Sequence, residues 1–174
     1  MKKINRQNLV LNLICLFFVL STLITCHGSS YYSKGSKRLA ISGETEKAIK
    51  YAFIALKKNP KDILEYCSIG SLYNELRDPE NALKYLNKYV ELSPKTPEYE
   101  FCDEVVYLDL GIAYAYKGDS NVAVQNFNKF LTTKNQLAES LKNKIADLIK
   151  SLEENPGKHV DAFGYLFEVG RPWP

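Results

Sequence analysis

Apolar residues recur at helical spacing along most of the chain, from about residue 29 to residue 155. Gly43 and Gly118 interrupt this pattern where a helix must end in a left-handed residue, and Asp78 followed by Pro79 supplies a cap and the first residue of the next helix. The pattern therefore predicts an all-α fold built from short helices that are joined by tight turns.

The helical pattern repeats along the chain with a period of about 34 residues. Pairs of positions at this offset are Asn59-Pro60 with Ser93-Pro94, Ala48 with Ala82, and Tyr32 with Tyr66. A third unit repeats the scheme at Tyr107, Leu110, Gly111, Tyr114, Gly118, Ala123 and Phe127. A period that is carried over two units and resumed in a third indicates a repeat protein, because isolated Ala or Gly residues occur in most helical cores.

Within the second unit, Gly70 and Tyr73 stand where the tetratricopeptide repeat (TPR) has a small residue followed by a tyrosine. The sequence resembles this repeat over about residues 29–137. The resemblance implies an α-solenoid of three helix-turn-helix repeats. These repeats span residues 29–62, 63–96 and 104–137. In such repeats a small residue on the first helix, here Gly70 or Gly111, lets the helix axes approach closely.

Seven extra residues separate the second and third units, because the step from Gly70 to the equivalent Gly111 is longer than the repeat period by that amount. Since seven residues are almost two helical turns, we expect the first helix of the third repeat to start near Pro97 and to be extended by the segment 97–103. Either Asp119 or Ser120 is expected to cap the helix that follows.

After the third repeat, residues 138–157 are predicted to form a capping helix that covers the apolar end of the solenoid. Apolar residues at helical spacing begin just before this segment, at Leu137, and continue within it at Leu141, Ile145, Leu148 and Leu152. Residues 158–174 form an aromatic-rich tail, which Gly and Pro predict to be extended or turn-rich. The tail packs either in the protein's own groove, against Leu108, Ile112 and Tyr116, or on the capping helix.

Residues 1–25 have the order of charged and apolar positions that is typical of a secretory signal. Met1-Lys2-Lys3 and Arg6 precede an apolar stretch from Leu9 to Ile24. The stretch ends in Leu23-Ile24-Thr25-Cys26, which resembles the lipobox of bacterial lipoproteins. The resemblance implies cleavage before Cys26, diacylation of its thiol, and stable anchoring in a membrane.

Thr25 stands where most lipoboxes have Gly or Ala, and two alternatives stay open: an uncleaved membrane anchor and a cleaved secretory protein. All three interpretations export the rest of the chain. For a lipoprotein, residues 26–28 are the lipidated cysteine and a short tether. His27 replaces the Asp that marks inner-membrane retention in enterobacterial lipoproteins, which favours the outer membrane of the bacterial cell envelope.

The distribution of charge argues against a nucleic-acid partner. Three of the 23 Lys and Arg residues precede Cys26, where no Asp or Glu occurs, so the rest of the chain carries 20 basic and 20 acidic residues. A neutral surface lacks the basic stripe that binds phosphate backbones. In an oxidising compartment, Cys67 and Cys102 are expected either as two partly buried thiols or as a disulfide.

The sequence offers neither a catalytic nor a cofactor site. Its two histidines, His27 and His159, lie outside the repeats, so neither a Cys/His nucleophile pair nor a histidine metal site is expected within them. The sequence has no Gly-rich phosphate loop. Its Asp and Glu residues that are adjacent or nearly adjacent in sequence are typical of helix starts and solvated faces, not of a catalytic pair. We therefore expect no enzyme activity, no metal, no cofactor and no small-molecule substrate.

The TPR resemblance implies protein binding in a concave groove that is lined by the first helix of each repeat. The groove positions are Ser33, Lys37 and Ile41 in the first repeat, Cys67, Ser71 and Asn74 in the second, and Leu108, Ile112, Ala115 and Tyr116 in the third. The Lys/Asn/Arg clamp with which some TPR domains hold a terminal carboxylate is missing apart from Lys37 and Asn74.

These patterns together favour a membrane-anchored lipoprotein that acts as an adaptor or scaffold for another protein in the bacterial cell envelope. Its partner would be a protein or peptide in the groove, and its membrane contact would be the lipid. Two alternatives are a cell-wall-associated factor that positions a peptidoglycan enzyme and a surface-exposed lipoprotein that binds a host.

Overall fold

The computed structural model describes residues 30–94, 100–133 and 139–167. These residues form helices and turns and contain no strand, which confirms the predicted all-α fold class. The predicted signal peptide, the lipidation site at Cys26 and the helix start near Pro97 lie outside the described residues.

The chain divides into two compact units between Asp62 and Ile63. The first unit contains α1 (residues 30–41) and α2 (Thr45–Lys58). The second contains α3 (Leu64–Glu75), α4 (Pro79–Leu92), α5 (Glu100–Lys117), α6 (Ser120–Leu131), α7 (Glu139–Glu154) and α8 (Ala162–Phe167). No helix in the described part of the chain combines the length and apolar character needed to cross a membrane.

In the first unit, α1 and α2 pair through small residues. Ser36 is buried, and its hydroxyl donates a hydrogen bond to the carbonyl of Ala48 at 2.9 Å. Gly35 lies so close to α2 that an added Cβ would be 2.7 Å from Cδ1 of Tyr51. The ring of Tyr32 contacts the same tyrosine, with 5.4 Å between the ring centroids. A small residue on the first helix therefore sets the spacing of this pair.

In the second unit, each helix packs on its neighbour in the order α3, α4, α5, α6 and α7, and α3 also contacts α5. This succession of antiparallel helix pairs is the arrangement of an α-solenoid. The predicted close approaches are confirmed: a Cβ on Gly70 would be 2.5 Å from Cγ of Leu86, and one on Gly111 would be 2.6 Å from Cδ1 of Phe127.

Left-handed residues follow the first helix of each repeat. Gly43 has φ +76° and Gly118 has φ +79°, as predicted. Arg77 occupies the equivalent position of the second repeat, one repeat period after Gly43, and it also has a positive φ of 58°. This conformation costs a residue with a Cβ about 1–2 kcal/mol, and sequence analysis did not single Arg77 out.

The helix caps were predicted correctly in one of two places. Asp78 caps α4, since its carboxylate accepts a hydrogen bond from the Asn81 amide at 3.1 Å. Asp119 precedes α6, but its side chain makes no capping hydrogen bond, so the predicted cap is not formed. The hydroxyl of Ser120 is engaged elsewhere, because it accepts a hydrogen bond from the Gly157 amide at 3.1 Å.

The later helices of the second unit differ in length and packing. The first helix of the third repeat, α5, has 18 residues, whereas α3 has 12, so part of the inserted sequence continues the helix. Helix α7 lies within the predicted capping segment 138–157 and packs on α6. Its buried residues are Ile145, Leu148, Ser151 and Leu152.

The prediction of an extended or turn-rich tail is wrong for residues 162–167, which form helix α8. Two physical reasons account for this short helix. The carboxylate of Asp161 accepts a hydrogen bond from the Gly164 amide at 2.9 Å, which satisfies an amide of the first turn. In addition, Ala162 and Leu166 lie on one face and are buried, while α8 contacts α5 and α7.

Candidate functional site: a face of α5 that holds the C-terminal segment

The predicted groove residues of the first repeat lie on α1, in the first unit. Ser33 is half-buried, whereas Lys37 is exposed and Ile41 is 88% exposed. Solvent therefore reaches both a cationic and an apolar side chain on this helix.

In the second repeat, the predicted groove residues Ser71 and Asn74 contact an acidic residue of α5. The Ser71 hydroxyl donates a hydrogen bond to the Asp109 carboxylate. The side-chain amide of Asn74 donates to the backbone carbonyl of Asp109 at 2.9 Å and to its carboxylate at 3.2 Å. Asn74 is fully buried, and its Oδ1 has no hydrogen-bond partner among the described residues. These polar groups therefore join α3 to α5 and are not free to contact a partner.

Burial governs the ionisation of Asp109. Loss of hydration raises the pKa of its carboxyl from 3.8 to about 6, against the opposing effect of the hydrogen bonds from Ser71 and Asn74. Sequence analysis missed this residue, although a signal was present: Asp109 is a single acidic residue between Leu108 and Leu110, in the middle of an apolar helix.

In the third repeat, Leu108, Ile112 and Ala115 are buried in an apolar cluster. The same cluster contains Val160, Ala162 and Leu166 from the C-terminal segment. These three groove positions are therefore buried, in a cluster that they share with the protein's own tail and with residues of α6 and α7. Both predicted locations of the tail are correct in part, since α8 contacts the groove helix α5 and the capping helix α7.

We call residues 157–167 the strap, and we call the surface that holds it the docking face. The docking face consists of Arg77, Ala115 and Tyr116, which make hydrogen bonds with the strap, and of the apolar cluster that contains Leu108 and Ile112. Its backbone contact is a hydrogen bond from the amide of Val160 to the carbonyl of Ala115 at 3.0 Å. Nδ1 of His159 lies 2.6 Å from the carbonyl of Tyr116, so the strap follows the C-terminal end of α5.

The carboxylate of Asp161 is the polar centre of this contact. It accepts a hydrogen bond from the Tyr116 hydroxyl and, at 3.1 Å, one from Nε of Arg77. Arg77 also donates from Nη1 to the carbonyl of Glu75 at 3.1 Å, which holds its guanidinium beside the end of α3. Asp161 therefore joins the strap both to α5 and to the turn between α3 and α4.

These contacts favour the ionised carboxylate. Partial burial acts to raise the pKa of Asp161, but hydrogen bonds from Tyr116, Gly164 and Arg77 outweigh it, so the pKa lies below its usual value. Burial and the same hydrogen bond raise the pKa of the Tyr116 hydroxyl, which stays protonated and able to donate.

Two further groups fix the ends of the strap. At its start, the Gly157 amide donates to the Ser120 hydroxyl at 3.1 Å. At its end, Nζ of Lys144 on α7 lies 3.4 Å from the carbonyl of Tyr165 and 3.3 Å from that of Leu166. A cation at the C-terminal carbonyls of a helix is a favourable placement.

The two described cysteines, Cys67 and Cys102, are thiols and do not form a disulfide. Cys67 on α3 is buried, and its pKa is raised by a hydrogen bond with Cys102 on α5 and by burial. A thiol of this kind is protonated and a poor nucleophile. In the same ranges, no group of three or more His, Cys, Asp or Glu residues is arranged to hold a metal ion.

A protein-family model matches part of the chain. Residues 66–96 match the family model of the tetratricopeptide repeat. The matched segment contains most of α3 and all of α4, so it corresponds to one helix-turn-helix unit. No curated protein matches the chain. Repeats of this class generally mediate protein–protein interaction, and they typically serve as interaction modules rather than as catalysts.

Proposed function

We propose that this protein is a membrane-anchored lipoprotein that acts as an adaptor for another protein in the bacterial cell envelope. The observation that carries the proposal is the combination of a TPR unit at residues 66–96 with an export-type amino terminus that ends at Cys26. The TPR unit supports protein binding, and the sequence Leu23 to Cys26 supports lipidation.

The charge of the chain is consistent with a protein partner. From Cys26 onward the basic and acidic residues balance, so binding would depend on shape and on a few specific side chains rather than on a strong field. Lys37 and Ile41 on α1 are exposed and would be available for such contacts.

Site-specific cross-linking in intact cells tests this function. A photo-reactive amino acid at position 37 of the full chain should give a discrete protein adduct in the membrane fraction. The matched control carries the same group at position 150, because Lys150 is exposed on α7, a helix that supplies none of the predicted groove positions. Adducts of the same sizes from both positions, or none from position 37, would contradict an adaptor that binds through α1.

A further inference from the structure

The strap occupies the docking face as a peptide ligand would. It contributes one backbone hydrogen bond to α5, one carboxylate to a hydroxyl and a guanidinium, and apolar side chains to a buried cluster. A backbone bond, a charge-assisted bond and apolar anchors are the usual components of peptide recognition. The docking face is therefore a site whose preferred ligand chemistry can be deduced from the segment that fills it.

Arg77 gives this deduction a second support. The equivalent turn positions of the other two repeats are Gly43 and Gly118, which adopt a positive φ without strain. The second repeat has an arginine there instead, in a strained conformation, and its guanidinium binds Asp161. A strained residue that contacts a charged group suggests a site under functional constraint.

The recognised segment has a simple chemistry. Asp161 supplies a carboxylate that both contacts the docking face and accepts the Gly164 amide at the start of α8. The buried side chains follow one and five residues later, at Ala162 and Leu166. The strap joins α7 through residues 153–159, all of which are exposed, so the buried contacts of the strap begin at Val160.

We propose that the docking face binds a partner protein through a segment of the same chemistry, which displaces the strap. The segment is a short helix with a carboxylate at its N-cap and apolar side chains one and five residues after it. This inference rests on the proposed function, because it assumes a protein partner. The strap then acts as a competitor, since its short connection gives it an effective concentration of about millimolar at the face.

A labelled peptide with the sequence of residues 157–167 provides the test, with the full chain as the receptor. In wild type the strap competes, so the peptide should bind weakly. The chain variant Asp161→Asn weakens its own strap and should bind the peptide at least about tenfold more tightly. Leu166→Ala in the chain is a second way to weaken the strap, and it should have the same effect.

A substituted peptide tests whether the carboxylate is recognised. A peptide with Asn in place of the Asp should bind the Asp161→Asn chain about tenfold more weakly than the original peptide. Adding Arg77→Gly to that chain should reduce the difference between the two peptides, because the guanidinium is lost while glycine fits the left-handed turn and the Tyr116 hydroxyl remains. Glu91→Gln, a change at an exposed residue of α4, should leave wild-type affinity for the peptide unaltered.

Three results would overturn the proposal. The first is no peptide binding by either weakened chain when its thermal unfolding is still cooperative. The second is equal binding of the two peptides to the Asp161→Asn chain. The third is a stable dimer in sedimentation that dissociates when the peptide is added, which would mean that a second copy supplies the segment. If the peptides behave as expected but position 37 yields no adduct in cells, the adaptor function fails while the docking chemistry stands.

Discussion

Asp109 shows how one residue can make a protein pH-sensitive. It is buried between α3 and α5 with hydrogen bonds from Ser71 and Asn74, yet these bonds do not offset the lost hydration of its charge. Because its pKa in the folded chain is raised to about 6, its ionised form is disfavoured by folding. Neutral Asp109 therefore makes its full contribution to the free energy of unfolding below the pKa of the unfolded chain, about 3.8. This contribution is lost as the pH rises through the folded-state pKa of about 6.

Asp109→Asn should therefore change the pH dependence of stability. Between about pH 4.5 and about pH 7.5, the Asp109 contribution to the free energy of unfolding should fall by about 2 kcal/mol in wild type, and this change should be absent from the variant. Urea unfolding at both pH values measures the difference between the two proteins. Equal changes in the free energy of unfolding between the two pH values, in wild type and variant, would show that the pKa of Asp109 is not raised.

At Gly111, even one added side-chain carbon is expected to change stability. A Cβ there would be 2.6 Å from both Cδ1 and Cε1 of Phe127, whose ring is fully buried. Gly111→Leu should lower the free energy of unfolding by about 1–3 kcal/mol or more, because overpacking outweighs a gain of about 1 kcal/mol in helix propensity. Denaturant midpoints measure the loss, and Gln125→Ala, on the exposed side of α6, should stay within about 0.5 kcal/mol of wild type. A wild-type midpoint for Gly111→Leu would mean that the helices are spaced differently.

At the scale of an element, α8 depends on its neighbours. A helix of six residues is not stable alone in water, so its formation must be coupled to docking on α5 and α7. The coupling is visible in Asp161, which caps the helix and contacts the docking face with the same carboxylate. Residues 162–167 should therefore lose their helical structure when the strap is released.

Two neighbouring residues of α8 test this coupling. Leu166 is 4% exposed and Phe167 is 46% exposed, so one faces the cluster and the other faces solvent. Leu166→Ala should lower the free energy of unfolding by about 2–3 kcal/mol, whereas Phe167→Ala should cost less than about 1 kcal/mol. Chemical denaturation measures the free energy of unfolding of both variants. Equal losses of that free energy would mean that α8 docks through another face.

For the whole molecule, the main question is whether Cys26 attaches the repeats to a membrane. The proposed lipidation predicts that an alkyne fatty acid fed to cells labels wild type and does not label Cys26→Ser. Cys15→Ser is the matched control, because it removes a cysteine from the apolar stretch and should keep the label. Equal labelling of wild type and Cys26→Ser would rule out lipidation at this residue.

Local sequence was sufficient to predict the repeating elements. The repeat period predicted an all-α fold, and Gly43, Gly118 and Asp78 marked turns and a cap that the structure has. Gly70 and Gly111 predicted where helices approach closely. These features depend on residues near in sequence, or on positions fixed by the repeat, so the linear pattern contains the necessary information.

Contacts between distant residues were decided only by the tertiary structure. Asp161 is 45 residues from Tyr116 and 84 from Arg77, and no local pattern links them. Tertiary packing also gave residues 162–167 a helix, although their Gly and Pro neighbours predict a turn, and it buried Leu108 and Ile112. The sequence by itself determined where helices and turns lie, because propensity and period are local. The tertiary structure decided which faces stay open, because burial depends on every segment that competes for the same apolar surface.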